Sequence, residues 1–262
     1  YLAGNLSKRF KAIAVTGVSQ TFGLIFGVCA IVLFSDFIKP NLSFDGYFIP
    51  GVIAGVAGFI GLTAFYTGLA TGRMGVVSPI SSLSVLIPLI FAFAQGERPT
   101  GVQTAGIIIA IAGAFMASGP EVKNGLPIRP LLYAVIAALG FGTALTFIAI
   151  GSETDSLHTM TAMRCASVTV CVILALRYRT LGGFGKAQIP LLIFIGVADF
   201  LANFTLGLAT QEGMVSLVMV LGALYPVFTV LLAFKLLHER LHKVQYVGVF
   251  FAIAGVAILS AF

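Results

Sequence analysis

Gly207-Leu208-Ala209-Thr210 opens a stretch that continues through an apolar run holding Pro226 to Glu239-Arg240, Gln245, Gly248, Ala254-Gly255 and Ser260. The chain contains this stretch twice. Its earlier copy reads Gly68-Leu69-Ala70-Thr71, an apolar run holding Pro79 and Pro88, then Glu97-Arg98, Gln103, Gly106, Ala112-Gly113 and Ser118. From the Glu-Arg pair onward the partners lie 142 residues apart, and at Gly-Leu-Ala-Thr they lie 139 apart. The copies therefore differ by a short length change inside the apolar run. A register held over so many positions marks a duplication, and the halves are read against each other.

Composition sets the class. Of 262 residues 59% are hydrophobic and 9% charged, about a third of the charged share of ordinary soluble domains. The apolar runs approach the ~20 residues that carry a helix across a bilayer. Thirty glycines suit helices that pack through small faces in lipid. The chain reads as an all-α polytopic membrane protein. Its net charge of +6 does not point to nucleic acid, because the basic residues cluster at span ends, where they face headgroups. Cys29, Cys165 and Cys171 lie inside apolar runs and read as small core residues rather than a disulfide or metal framework.

Residues Tyr1 to Leu6 look like the tail of a helix whose beginning is absent, so an N-terminal truncation is expected. Nine spans follow, near 12–34, 48–70, 74–95, 101–118, 130–150, 159–177, 188–209, 213–236 and 244–262. With the missing span they make ten, five per half. The expected organisation is a first repeat over 1–118, a linker over 119–129 and a second repeat over 130–262. A unit with an odd number of spans enters and leaves on opposite sides, so its duplicate must insert upside down. That is the inverted-topology repeat of many secondary transporters.

The pattern of Gly-Leu-Ala, a proline-bearing helix, Glu-Arg, then Gln, Gly and Ala-Gly resembles the EamA-type transporters of the drug/metabolite transporter superfamily. Ser78-Pro79-Ile80 and Leu224-Tyr225-Pro226 are similar to that family's helix interiors, and the likeness covers nearly the whole chain. The resemblance implies ten helices in two inverted repeats around a central cavity. It also implies movement of small metabolites or amino acids, often outward, in a bacterial cytoplasmic (inner) membrane. Orientation stays open. One side carries twelve basic residues and the other only Lys39, Arg98 and Arg164, which makes the first side cytoplasmic by charge. The family pattern puts both termini in the cytoplasm, the opposite assignment.

Asp199 is the sharpest single candidate, because a charge near the middle of a span is costly and faces a cavity or a partner. Asn203 lies four residues on, on the same helical face. The first-half positions 139 residues earlier are Ile60 and Ala64, so the polar pair belongs to one copy. Asp199 is expected to line the pathway, contacting a cationic group or taking up a proton. The structural alternative is an aspartate, neutral or paired with Arg164, that ties two helices together. Arg164 itself is expected to snorkel to the interface, and Glu153, Asp155 and His158 are expected to form a solvated loop.

Pro79, Pro88 and Pro226 break helices at comparable places in the two halves, the strongest sequence pointer to a midplane site and to gating elements. Beside them Ser78, Ser81 and Ser82 form a hydroxyl stripe; Tyr66, Thr63, Tyr225 and Gln20 are further candidates for the pathway. The competing role for the hydroxyls is to satisfy carbonyls freed by the breaks.

One motif suggests a different class. His238-Glu239-Arg240-Leu241-His242 matches H-E-x-x-H, the zinc motif of metalloproteases, and raises the alternative of an intramembrane protease. Its twin, Gly96-Glu97-Arg98-Pro99-Thr100, keeps Glu-Arg and lacks both histidines. Glu97-Arg98 and Glu239-Arg240 are therefore expected to be structural, capping helix ends. The resulting expectation is a secondary transporter, not an enzyme, with no cofactor and no metal. Its partners are the bilayer and a small molecule, as a monomer or homodimer, with a scaffold or channel as the other alternative.

Overall fold

The computed structural model describes residues 2–7, 9–70, 74–118, 128–178, 183–225, 227–228, 231 and 242–261. Among these there is no strand. A short α1 (Leu2–Ser7) precedes α2 (Ala12–Phe34) and α3 (Phe48–Ala70). The proline-bearing span is α4 (Met74–Ser82), a 3₁₀ turn over Leu83–Val85, and α5 (Leu86–Ala94). Then come α6 (Gly101–Ala117), α7 (Ile128–Ser152), α8 (Ser156–Tyr178), α9 (Ile189–Glu212), α10 (Val215–Gly222) and α11 (Lys243–Ala261). Among the described residues seven helical stretches are long and apolar enough to cross a membrane, and Gly101–Ala117 is a shorter apolar helix. Successive spans run antiparallel. One membrane face therefore carries Lys11 and the starts of α7 and α9, and the other carries Glu97 and the starts of α8 and α10.

Local chemistry fixes several ends. Thr100 and Gln103 form a capping box at the start of α6: Gln103 N–H donates to Thr100 Oγ1 at 3.2 Å, and Thr100 N–H to Gln103 Oε1 at 2.8 Å. The repeat partner Gln245 does half of the same work, accepting from His242 N–H at 2.9 Å. The end of α5 is closed by Gly96 at φ 98°. There Glu97 N–H reaches Ala92 O and Gly96 N–H reaches Phe93 O, both at 3.1 Å, a Schellman ending that needs the left-handed residue.

Packing follows the glycines. A Cβ at Gly140 of α7 would lie 2.7 Å from Ala57 O and from Gly61 Cα of α3. Gly113 of α6 abuts the Ala252 backbone of α11, and Gly248 of α11 abuts Met116 and Ala117 of α6. The small residues let helix axes approach until backbones touch, which is how helices gain dispersion contact when lipid is as apolar as their side chains. The main pairings are α3 with α7 and α8, α2 with α8 and α9, α6 with α11, and α4 with α7. Cys29 and Cys165 lie exposed on the bundle surface and Cys171 is half-buried, which corrects their assignment to the core.

Candidate functional site

A polar cluster joins α2, α8 and α9 in the middle of the apolar bundle. Gln20, Arg164 and Ser167 are buried at 3%, 1% and 1% exposure, whereas the Asp199 side chain is 37% exposed. Glycine brings the helices together. Gly196 of α9 packs on Ser19 O of α2, and a Cβ at Gly23 would stand 3.5 Å from Arg164 Nε. Larger residues at either glycine would drive α9 away and separate Gln20 from Asp199.

Within the cluster Gln20 is the hinge. Its Oε1 accepts from Arg164 Nη1 and, at 3.2 Å, from Ser167 Oγ. Its Nε2 donates to Asp199 Oδ2 at 3.0 Å. Arg164 Nη2 stands 2.9 Å from the same Oδ2, an ion pair whose angle falls outside hydrogen-bond geometry. Arg164 Nε has no hydrogen-bond partner among the described residues, and the guanidinium carbon lies 6.0 Å from the Phe200 ring centroid. Asn203 Nδ2 donates to Asp199 O at 2.8 Å, with Asp199 Oδ1 at 3.4 Å. Asp199 Oδ2 is thus taken up by α2 and α8, while Oδ1 has only this long contact among the described residues. Tyr66 of α3 is buried and within electrostatic range of both Asp199 and Arg164.

This arrangement corrects the expectation for Arg164. It does not snorkel: α8 begins at Ser156, so Arg164 sits about two turns in, closed over by α2 and α9. A buried guanidinium is tolerable only with a partner, and removal of that partner leaves an uncompensated charge. Ser167, one turn from Arg164, was not a candidate in the sequence; a serine at i+3 from a membrane arginine was the available signal.

The proline-broken span lies apart from the cluster. Ser82 Oγ donates to Pro79 O at 2.7 Å and Ser81 Oγ to Ser78 O at 3.0 Å, so both hydroxyls satisfy carbonyls near the break. Pro79 lies inside α4 and Pro88 is buried near the start of α5. Ser81 is fully buried, and so is the Tyr225 hydroxyl. Thr63 is represented by a buried hydroxyl on α3. Pro226, Glu239, Arg240 and His238 lie outside the described residues.

The Glu97-Arg98 pair serves two helix ends at once. Glu97 accepts from Val215 N–H at 2.7 Å and Ser216 N–H at 3.0 Å, capping α10 from the opposite half. Arg98 Nη1 donates to Phe93 O at 3.1 Å and Glu97 O at 3.0 Å beside the α5 terminus. The anion meets a helix N-terminus and the cation a C-terminus, as the helix dipole favours.

On the same face the expectation of a solvated loop holds for Glu153, which is exposed, and is corrected for His158. His158 is 2% exposed. Its Nε2 accepts from Ile38 N–H at 3.2 Å and its Nδ1 lies 2.7 Å from Asp155 Oδ1, so the ring is in the neutral tautomer protonated at Nδ1. Tyr47 donates to Ile38 O at 2.7 Å. Burial first, and the Asp155 carboxylate second, push the Tyr47 phenol above its usual range. These bonds pin the 35–47 connection across the start of α8.

Comparison with known proteins comes to three findings. A model of the EamA-like transporter family matches residues 2–119 and again residues 128–261. An uncharacterized protein of Methanocaldococcus jannaschii is 24% identical over 130 residues, which are 50% of this chain and 95% of that protein. A crystal structure of another protein superposes with a TM-score of 0.78 over 99% of this chain and 91% of that one, at 17% identity; this likeness speaks for the fold alone.

Proposed function

The chain belongs to the EamA-like transporter family and is a multi-pass membrane protein, and from that premise we propose that it is a secondary transporter of a small molecule. It works by alternating access, with two inverted five-helix repeats rocking about a midplane pathway. The helix pairings support this reading. Exchanging the halves maps α2·α8 and α6·α11 onto themselves and α3·α8 onto α9·α2. The archaeal relative, about one repeat long, fits a unit that was later duplicated. The sequence has no Walker-type loop, so coupling to a substrate or ion gradient is the mechanism that fits.

The observation that carries the site is the buried Arg164–Gln20–Asp199 link in mid-bundle. We place Asp199, with Asn203 and Tyr66, on the pathway, and Arg164 and Gln20 behind it as the groups that hold its carboxylate. A proton-coupled cycle requires the links from Asp199 to Arg164 and Gln20 to loosen as the halves rock. Ser78, Ser81, Ser82 and Tyr225 flank the break, where α4 and α5 yield as gates. The direction proposed is outward.

The experiment is counterflow in proteoliposomes with a metabolite panel. Saturable exchange is expected; no exchange with any compound, from protein shown to be folded, speaks for a scaffold or channel. Asp199→Asn is expected to change the pH dependence of exchange. Wild-type rate and pH profile in that variant would make Asp199 a tie between helices and nothing more.

A further inference from the structure

We infer that Glu97 is a latch that keeps the Glu97 face of the transporter closed. The inference rests on the proposed alternating access but not on the identity of the substrate. Two observations converge on one seam between α5 and α10. The first is the bidentate cap, in which both carboxylate oxygens of Glu97 are spent on the N–H groups of Val215 and Ser216. The second is the apolar packing beneath it, where Val85 and Leu89 of the broken span share a buried cluster with Met219 and Val220 of α10.

The geometry makes the cap a switch rather than a brace. α10 is eight residues long, so its first-turn N–H groups are a large share of all its backbone donors. Inside one chain such a helix normally carries its own capping residue, but Met214, at the N-cap position, makes no side-chain bond. Its anion comes instead from the opposite half. When the halves separate on this face, Glu97 leaves and the α10 end is uncapped together with the unsealing of Leu89. Closure and capping are thus one event, and the closed state is favoured by the charge-assisted bonds the open state lacks. Asp155, His158 and Ile38 make a second fastening between halves on this face, so the loss of Glu97 shifts the balance without dissolving the face.

The test uses the full chain in nanodiscs, with Cys29, Cys165 and Cys171 replaced by serine and a single reporter, either Leu89→Cys in the seam or Ile80→Cys toward the Lys11 face. A hydrophilic maleimide reads how open each position is. Glu97→Gln, which keeps the shape and one acceptor oxygen, is expected to raise Leu89→Cys labelling about tenfold, the order of a lost cap, and to slow Ile80→Cys labelling. Glu97→Ala is expected to do more, and Glu97→Gln suffices if the alanine variant fails to fold. An unchanged Leu89→Cys rate in a folded variant overturns the latch, as does a rise of equal size at both reporters, which would report general loosening. A rise at Leu89→Cys with no change at Ile80→Cys upholds the latch and instead removes alternating access.

Discussion

The α6·α11 seam and the α2·α8·α9 cluster are both close helix contacts, yet they are built from opposite kinds of residue. In the seam, repeated residues meet repeated residues: Gly113 and Gly248 lie against the partner backbone, and Gln103 and Gln245 each serve their own helix start. In the cluster, Asp199 stands where the other copy has Ile60, and Arg164 and Gln20 meet as unlike residues in comparable places. Repeated residues supply a symmetric joint between α6 and α11. Charge enters where the copies have diverged, because a buried ion pair has a cost that an architectural contact does not carry.

The strongest way to break this contrast is to remove one member of the pair. Arg164→Met is expected to destabilise by about 2–3 kcal/mol by taking from the buried Gln20 Oε1 its charged donor and from Asp199 its counter-charge, read by unfolding of the purified protein in detergent. Adding Asp199→Asn should recover part of that loss; strictly additive losses would mean the two side chains are not coupled. Next comes the seam. Gly113→Leu is expected to cost about 1–3 kcal/mol through overpacking against the Ala252 backbone. Gly101→Ala, where nothing lies within 4 Å, should leave the same melting curve nearly unmoved. Equal responses would remove the argument from close approach.

Gln103→Ala and Gln245→Ala sharpen the symmetry at smaller scale. Each is expected to cost about 1 kcal/mol. A large loss at one and none at the other would show that the copies no longer share the load. The smallest effect belongs to Tyr47, outside the spans. Its phenol titrates above the ordinary 10.0 when folded. The stability this gives is complete below about pH 10 and is lost as pH rises from there through the raised folded value. Tyr47→Phe should flatten the alkaline limb of stability against pH; an unchanged limb would assign it to other groups.

Much of the bundle was legible beforehand. The runs at 12–34 and 48–70 are the helices Ala12–Phe34 and Phe48–Ala70, because an apolar stretch of bilayer length has no alternative to a helix in lipid. Pro79 and Pro88 announced a broken span, and the 3₁₀ turn at Leu83–Val85 is that break. Asp199 stood out because a lone carboxylate in an apolar run must find a partner. Arg164 and His158 were misread for one reason: both stand near where a span was expected to end, and proximity to an end in sequence says nothing about what covers it. Gly196 on Ser19 closes the route from Arg164 to the interface, and the 35–47 connection folds over His158.

Sequence alone determined the class, the duplication and the places where the two copies disagree, since hydrophobic length and register are properties of one dimension. Only the tertiary structure decided what the disagreements do. Gln20, Arg164 and Asp199 are separated by 179 residues from first to last, and no local pattern ties one to another. Glu97 and Val215 are likewise joined across 118 residues. Helices pressed together through glycine place such groups within hydrogen-bond reach, and the cost of leaving a buried charge or a bare helix end unpaired makes those meetings obligatory.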